Sequence, residues 1–251
     1  MTTAGIRNQL LVVIPARFAS SRFPGKPLAD LNGKSVLRRC HEQVRQVVDV
    51  DSILVATDDA RIADECRRHG MRFEMTSTAC ITGTDRVAEI AERNHADWYV
   101  NVQGDEPFLD PSGLSRVIDA TRVAPQEIQV INAQARIQTE LDFRSGTIPK
   151  MVTTVDGHLL YVSRGAIPTT KSLEFSVGHR QVGLYAFRRE ALAAFAAHGR
   201  KTPLESIEDI EILRFLELGF KVTVLEVPAG GVAIDTPEDL ERARRFLLKG
   251  D

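Results

Sequence analysis

From Leu10 to Val102, short apolar runs closed by turn formers alternate with stretches whose apolar residues recur at helical spacing. Leu10-Leu11-Val12-Val13-Ile14 is unbroken and ends at Pro15, the pattern of a strand buried on both faces rather than one. Gly33 to Val48 has helical spacing, and Ser52 to Thr57 is a second buried run ending at Asp58 and Asp59. The alternation continues with 60–69 helical, 72–76 extended, 85–93 helical and 98–102 extended. Strands separated by helices of this length predict an α/β fold, a doubly wound and mostly parallel sheet. The middle of the chain differs, because 129–137, 150–155, 159–163 and 181–188 are extended candidates with little helix between them. We expect one domain over 1–251, with an antiparallel lobe embedded at about 129–190. Pro203 to Leu218 then predicts a charged helix, Lys221 to Val227 a strand, and Thr236 to Lys249 a closing helix whose Thr-Pro start supplies a cap and then proline.

Composition narrows the function classes. The 251 residues carry 32 Lys+Arg against 34 Asp+Glu, a net charge of -2, which gives no bulk field for nucleic acid or an anionic membrane. An anionic partner must therefore be held by a local site. Leu10 to Ala16 is too short to span a bilayer and Arg17 stops it. Cys40, Cys66 and Cys80 form no CxxC pair, which fits reduced thiols and a cytoplasmic location.

The densest chemical signal is Pro15 to Leu28, PARFASSRFPGKPL, directly after the first strand. Ligands of open α/β sheets bind at that end of a strand. Gly25 lets backbone N–H groups approach an anion, and Arg17, Arg22 and Lys26 bring three cations beside Ser20 and Ser21, so the segment reads as a polyphosphate loop. It matches neither GxxxxGK[ST] nor GxGxxG, which disfavours P-loop hydrolases and ordinary dehydrogenases. Asn101 to Pro107, NVQGDEP, places Asp105 at a second strand end. That carboxylate suits a magnesium ion bridging to phosphates or, more blandly, a Gly-Asp turn. Asp235 precedes the last helix and by itself reads as its cap. Thr82-Gly83-Thr84-Asp85-Arg86 either caps a helix or reads a base through its backbone, while Lys150 and Ser163-Arg164 are surface charge or a second anion site. The six histidines fall in no HExxH or triad pattern.

Taken in order, PARFASSRFPGKPL, ATDD at 56–59, TGTDR, NVQGDEP, LLYVSRGAIP at 159–168, VGLYAFRR at 182–189 and IDTPEDLERAR at 234–244 closely resemble the 3-deoxy-manno-octulosonate (Kdo) cytidylyltransferases over roughly residues 10–245. The resemblance implies a nucleotidyltransferase-like fold, a homodimer, and magnesium-dependent transfer of CMP from CTP to the anomeric hydroxyl of Kdo or a related 2-ulosonic acid, with release of pyrophosphate. It places Arg17, Ser20, Gly25 and Lys26 on the triphosphate, with Arg17 and Lys26 neutralising charge in the reaction. Gln103 and the Gly83, Thr84 and Arg86 segment fall on cytosine and ribose, and Asp105 and Asp235 on Mg²⁺. Lys150, Arg164, Gln181, Tyr185, Glu208 and Glu211 line or support the sugar-acid pocket. Two residues depart from the family pattern: Gln181 stands where histidine is usual, and Ile212 where glutamine is usual. Both fall on the sugar side, which leaves another acid or sugar acceptor, or a non-catalytic CTP-binding relative, as alternatives. A UTP- or GTP-dependent sugar-phosphate nucleotidyltransferase shares the first motif but explains VSRGAIP and IDTPEDL less well.

Overall fold

Both faces of the first apolar run are buried, as its unbroken pattern requires. The computed structural model describes residues 10–19, 22–231 and 233–249. In β1 (Leu10–Ala16), Val12 and Ile14 face one hydrophobic cluster and Leu11 and Val13 the other. The first cluster is covered by α1 (Val36–Val44), α2 (Ala60–Arg68) and α4 (Pro111–Val123). The second is covered by α3 (Gly83–Arg93), α6 (Arg189–His198) and α8 (Ile212–Glu217). Helices on both faces make the sheet doubly wound.

With β2 (Ile53–Thr57), β3 (Phe73–Met75), β4 (Trp98–Val102), β5 (Val130–Arg136), β8 (His179–Arg188) and β9 (Val222–Glu226), the strand order is β3-β2-β1-β4-β8-β5-β9. The chain runs outward from β1 to β3, then returns to place β4 on the other side of β1. The order therefore reverses between β1 and β4, and a crevice at their carboxyl ends is the expected ligand position. Pairs β1–β2, β1–β4, β2–β3 and β5–β9 are parallel, while β8 is antiparallel to both β4 and β5.

The antiparallel pattern read in the middle of the chain is present. Of that segment, β5 and β8 lie inside the main sheet, and the hairpin of β6 (Lys150–Thr153) and β7 (Leu159–Ser163) branches from it through β6–β8 pairing. Three helices were not read from the sequence: α4, α5 (Glu140–Arg144) and α6. The helix expected over 203–218 is two, α7 (Pro203–Glu208) and α8, separated at Asp209 in the left-handed region at φ 53°. The closing helix α9 (Pro237–Lys249) forms as expected. Leu31, Val36 and Cys40 pack with Ile234, Leu240 and Ala243, which brings the start of α9 beside the loop after β1. No helix among the described residues is long and apolar enough to cross a membrane.

Candidate functional site

The loops after β1 and β4 meet across the reversal point so closely that a Cβ on Gly104 would lie 2.8 Å from the Pro15 carbonyl oxygen. Downstream, Gly25 adopts φ 75° and donates its N–H to the Phe18 carbonyl at 2.9 Å. That left-handed turn, which glycine adopts without penalty, presents Lys26 to the strand ends. Opposite it, the Ile234 N–H bonds the Asp105 carbonyl at 2.9 Å and ties the chain before α9 to the end of β4. Asp105 and Asp235 thereby become neighbours.

Their common partner is Lys26, whose Nζ lies 2.6 Å from Asp105 Oδ2 and 3.2 Å from Asp235 Oδ1. Arg22 adds a second cation 3.3 Å from Asp235. Burial alone would lower the Lys26 ammonium, but the two carboxylates override it and hold it above its ordinary value. These groups line a cleft of about 280 Å³ together with Arg17, Gly83, Arg86, Gln103, Arg164 and Glu211. Among the described residues no group of three or more His, Cys, Asp or Glu side chains is arranged to cage a metal. Mg²⁺ does not need such a cage, because one or two carboxylates plus substrate phosphates suffice. Two part-exposed carboxylates already converging on one positive charge fit that ion.

Asp85 and Thr82 form a capping box at the start of α3. The Gly83 and Thr84 N–H groups donate to Glu211 at 3.0 and 2.9 Å, and the Thr84 hydroxyl donates to it at 2.5 Å. Burial pushes the Glu211 carboxyl up despite those three donors. The residue expected on the sugar side thus fixes the loop expected to read the base. Arg86 is buried and bonds Asp58 at 2.6 Å and Thr76 Oγ1 at 2.7 Å. Gly83 packs against Gln103, whose amide atoms lie 3.5 Å from a Cβ built at Gly83.

Several expected pocket residues act from behind the cleft. Lys150 is fully buried, and its ammonium donates to the carbonyls of Ser145, Ile148 and Arg164. Glu208 accepts from Ser163 Oγ at 2.6 Å and the Arg164 N–H at 2.9 Å. Burial would raise its carboxyl, but these donors bring it below its usual range. Tyr185 stacks on Phe187 at 5.8 Å, and burial raises its phenol well above the usual value. Gln181 donates to Asn132 Oδ1 at 2.8 Å. None of these four lines the cleft, nor do Gly25 and Thr84; Ser20 lies outside the described residues. Ile212, the first residue of α8, is packed in the core and does not line the cleft.

Sequence reasoning passed over Glu106, Lys201, Glu205 and Asp209. Burial pushes the Glu106 carboxyl up to about 7, and its Oε1 accepts the Gly183 N–H at 2.6 Å. Glu205 forms a bidentate pair with fully buried Arg214, both contacts 2.7 Å, and Arg214 also reaches Asp85 at 3.0 Å. The Thr202–Glu205 capping-box spacing was the available signal for Glu205; Lys201 and Asp209 carried none.

A family model described as cytidylyltransferase matches residues 11–222. The chain is 42% identical to a 3-deoxy-manno-octulosonate cytidylyltransferase of Geobacter metallireducens, covering 96% of this chain and 98% of the relative. A relative of the same description from Geobacter sulfurreducens is 41% identical, with 95% and 99% covered. Among solved structures, a CMP:2-keto-3-deoxy-manno-octonic acid synthetase complexed with CTP superposes with a TM-score of 0.89 at 33% identity, covering 97% of this chain and all of that one.

Proposed function

The chain belongs to the 3-deoxy-manno-octulosonate cytidylyltransferase family, and we propose that it transfers CMP from CTP to the anomeric hydroxyl of Kdo, releasing pyrophosphate. The observation that carries this reading is the meeting of Asp105 and Asp235 at Lys26, in a cleft walled by the loop after β1 and the start of α3. Transfer of a nucleotidyl group asks the protein mainly to align the attacking oxygen and to neutralise charge on the α-phosphate and the leaving pyrophosphate. Lys26 and Arg17 supply fixed positive charge, and Gln103 with the Gly83 segment orients cytosine and ribose. We assign Arg164, which lines the same cleft, to the acceptor acid. We assign Asp105 and Asp235 as holders of Mg²⁺, which when bound supplies further neutralisation of phosphate charge.

The full-length similarity to 3-deoxy-manno-octulosonate cytidylyltransferases supports Kdo as the acceptor. The same reading includes a cytoplasmic homodimer. The test is pyrophosphate release from CTP with a panel of 2-ulosonic acids, with UTP and GTP as competitors. Release that depends on Kdo and on CTP supports the reading; tight CTP binding with no acceptor-dependent release overturns it.

A further inference from the structure

We propose that Lys201, together with Arg164, receives the carboxylate of the acceptor acid, and that the acid displaces the side chain of Asp209 from Lys201 as it binds. This rests on the reading of the cleft as a 2-ulosonic acid site.

Most charged groups lining the cleft are already engaged. Lys26 and Arg22 face Asp105 and Asp235. Arg86 is paired with Asp58, Glu205 with Arg214, and Glu211 with the N–H groups opening α3. One wall is different. There the Arg164 guanidinium donates only to carbonyls, those of Glu208 at 2.6 Å and of Gly146 and Asp209 at 3.2 Å, and it forms no salt bridge among the described residues. Beside it, Lys201 pairs with the Asp209 carboxylate.

Asp209 has the features of an exchangeable carboxylate. Its backbone is fixed, since its N–H bonds the Glu205 carbonyl at 2.8 Å and its own carbonyl accepts from Arg164. Its side chain, by contrast, is 69% exposed. Lys201 is the more buried partner at 29% exposed, and an ion pair whose carboxylate stands mostly in water contributes little to stability, so an incoming carboxylate can take the ammonium at small cost. Lys201 bonds the Asp209 carboxylate and Arg164 its carbonyl, so both cations converge on one residue of the cleft lining. In a 2-ulosonic acid the carboxylate is bonded to the anomeric carbon, so fixing it also aims the hydroxyl that attacks phosphorus.

Steady-state kinetics of Lys201→Met, Lys201→Arg and Asp209→Asn with CTP and Kdo test this, with thermal melts to establish folding. Lys201→Met is expected to raise the KM for Kdo about tenfold while the KM for CTP stays within about twofold, and Lys201→Arg to restore most of the loss. Asp209→Asn, which keeps a residue tolerant of the left-handed region, is expected to lower the KM for Kdo severalfold. The neutral C1 amide of Kdo should respond to neither change. A KM for Kdo unmoved by Lys201→Met, an increase confined to CTP, or a raised KM for Kdo in folded Asp209→Asn overturns the proposal. Wild-type enzyme that releases no pyrophosphate with Kdo overturns instead the reading on which it rests.

Discussion

Gly183 shows how one hydrogen atom in place of a methyl group holds the cleft together. A Cβ there would lie 2.5 Å from Glu106 Oε1 and 2.8 Å from Gln103 Cγ, while the residue's own N–H and carbonyl bond Glu106 and the Gln103 N–H. Gly183→Ala must push Gln103 or Glu106 aside. Overpacking of this kind costs about 1–3 kcal/mol, and we expect a lower melting temperature together with a raised KM for CTP. Unaltered melting and kinetics would mean that the strand end gives way freely. Asp235 poses a different question, because its carboxylate is one-third exposed and its side chain pairs with Lys26 and Arg22. Asp235→Asn keeps the shape and one acceptor oxygen but removes the charge. Turnover should fall by about a hundredfold or more with folding intact, measured as pyrophosphate release across a magnesium titration. Full turnover with ordinary magnesium dependence would remove Asp235 from the site.

At the scale of elements, strands were the readable part. An unbroken apolar run such as Leu10–Ile14 or Trp98–Val102 carries its own evidence of burial on two faces, and the observed strands begin and end within a few residues of the expected limits. The helix expected over 203–218 failed for a reason no local pattern contains. Arg164, 45 positions away, bonds the Asp209 carbonyl, and Glu211 serves α3, 128 positions away, so the chain turns where its apolar spacing would continue. By contrast, α4 had a readable start in Asp110-Pro111, where Asp110 accepts the Ser112 N–H at 2.8 Å, and it was simply passed over. Helix α1 carries a pH dependence in its buried face. His41 is 4% exposed, its Nε2 has no partner among the described residues, and burial, helped by Arg45, lowers it to about 4. The unfolded chain takes up that proton near pH 6.5 while the native chain resists until about 4. The contribution is therefore complete above pH 6.5, is lost as pH falls through the window to 4, and loses nothing more below it. The loss is roughly 3 kcal/mol at full extent. His41→Leu should flatten that part of the acid limb in urea unfolding measured from pH 7 to 4; parallel limbs for the two proteins would refute the assignment.

For the whole molecule, the site's central fact, Lys26 meeting carboxylates 79 and 209 positions away, was reachable only through motifs recognised in order. Spacing alone left Asp235 a helix cap. What the sequence could not carry was direction: Lys150 turns inward to three carbonyls, and Gln181 to Asn132, because depth behind a wall is a property of packing and not of motif. The outer surface raises the question of assembly. Leu141, Val155, Leu160 and Leu173 are all more than half exposed and all lie between positions 141 and 173, around the hairpin that branches from the sheet. Along β7, Leu159 points into the core and Leu160 away from it, so Leu160 is apolar without a packing role inside the subunit. Exposed apolar side chains that share a patch mark association surfaces, and we propose this stretch of chain for the dimer contact. Because both side chains are exposed on the single chain, Leu160→Asp with Leu173→Asp should leave the fold of the subunit intact, and the melting temperature should fall only by what the partner subunit contributes. In sedimentation equilibrium the wild-type protein is expected at twice the chain mass and the double variant at one. A wild-type protein that sediments as a single chain would refute the dimer, and a dimer indifferent to both aspartates would place its contact on another face.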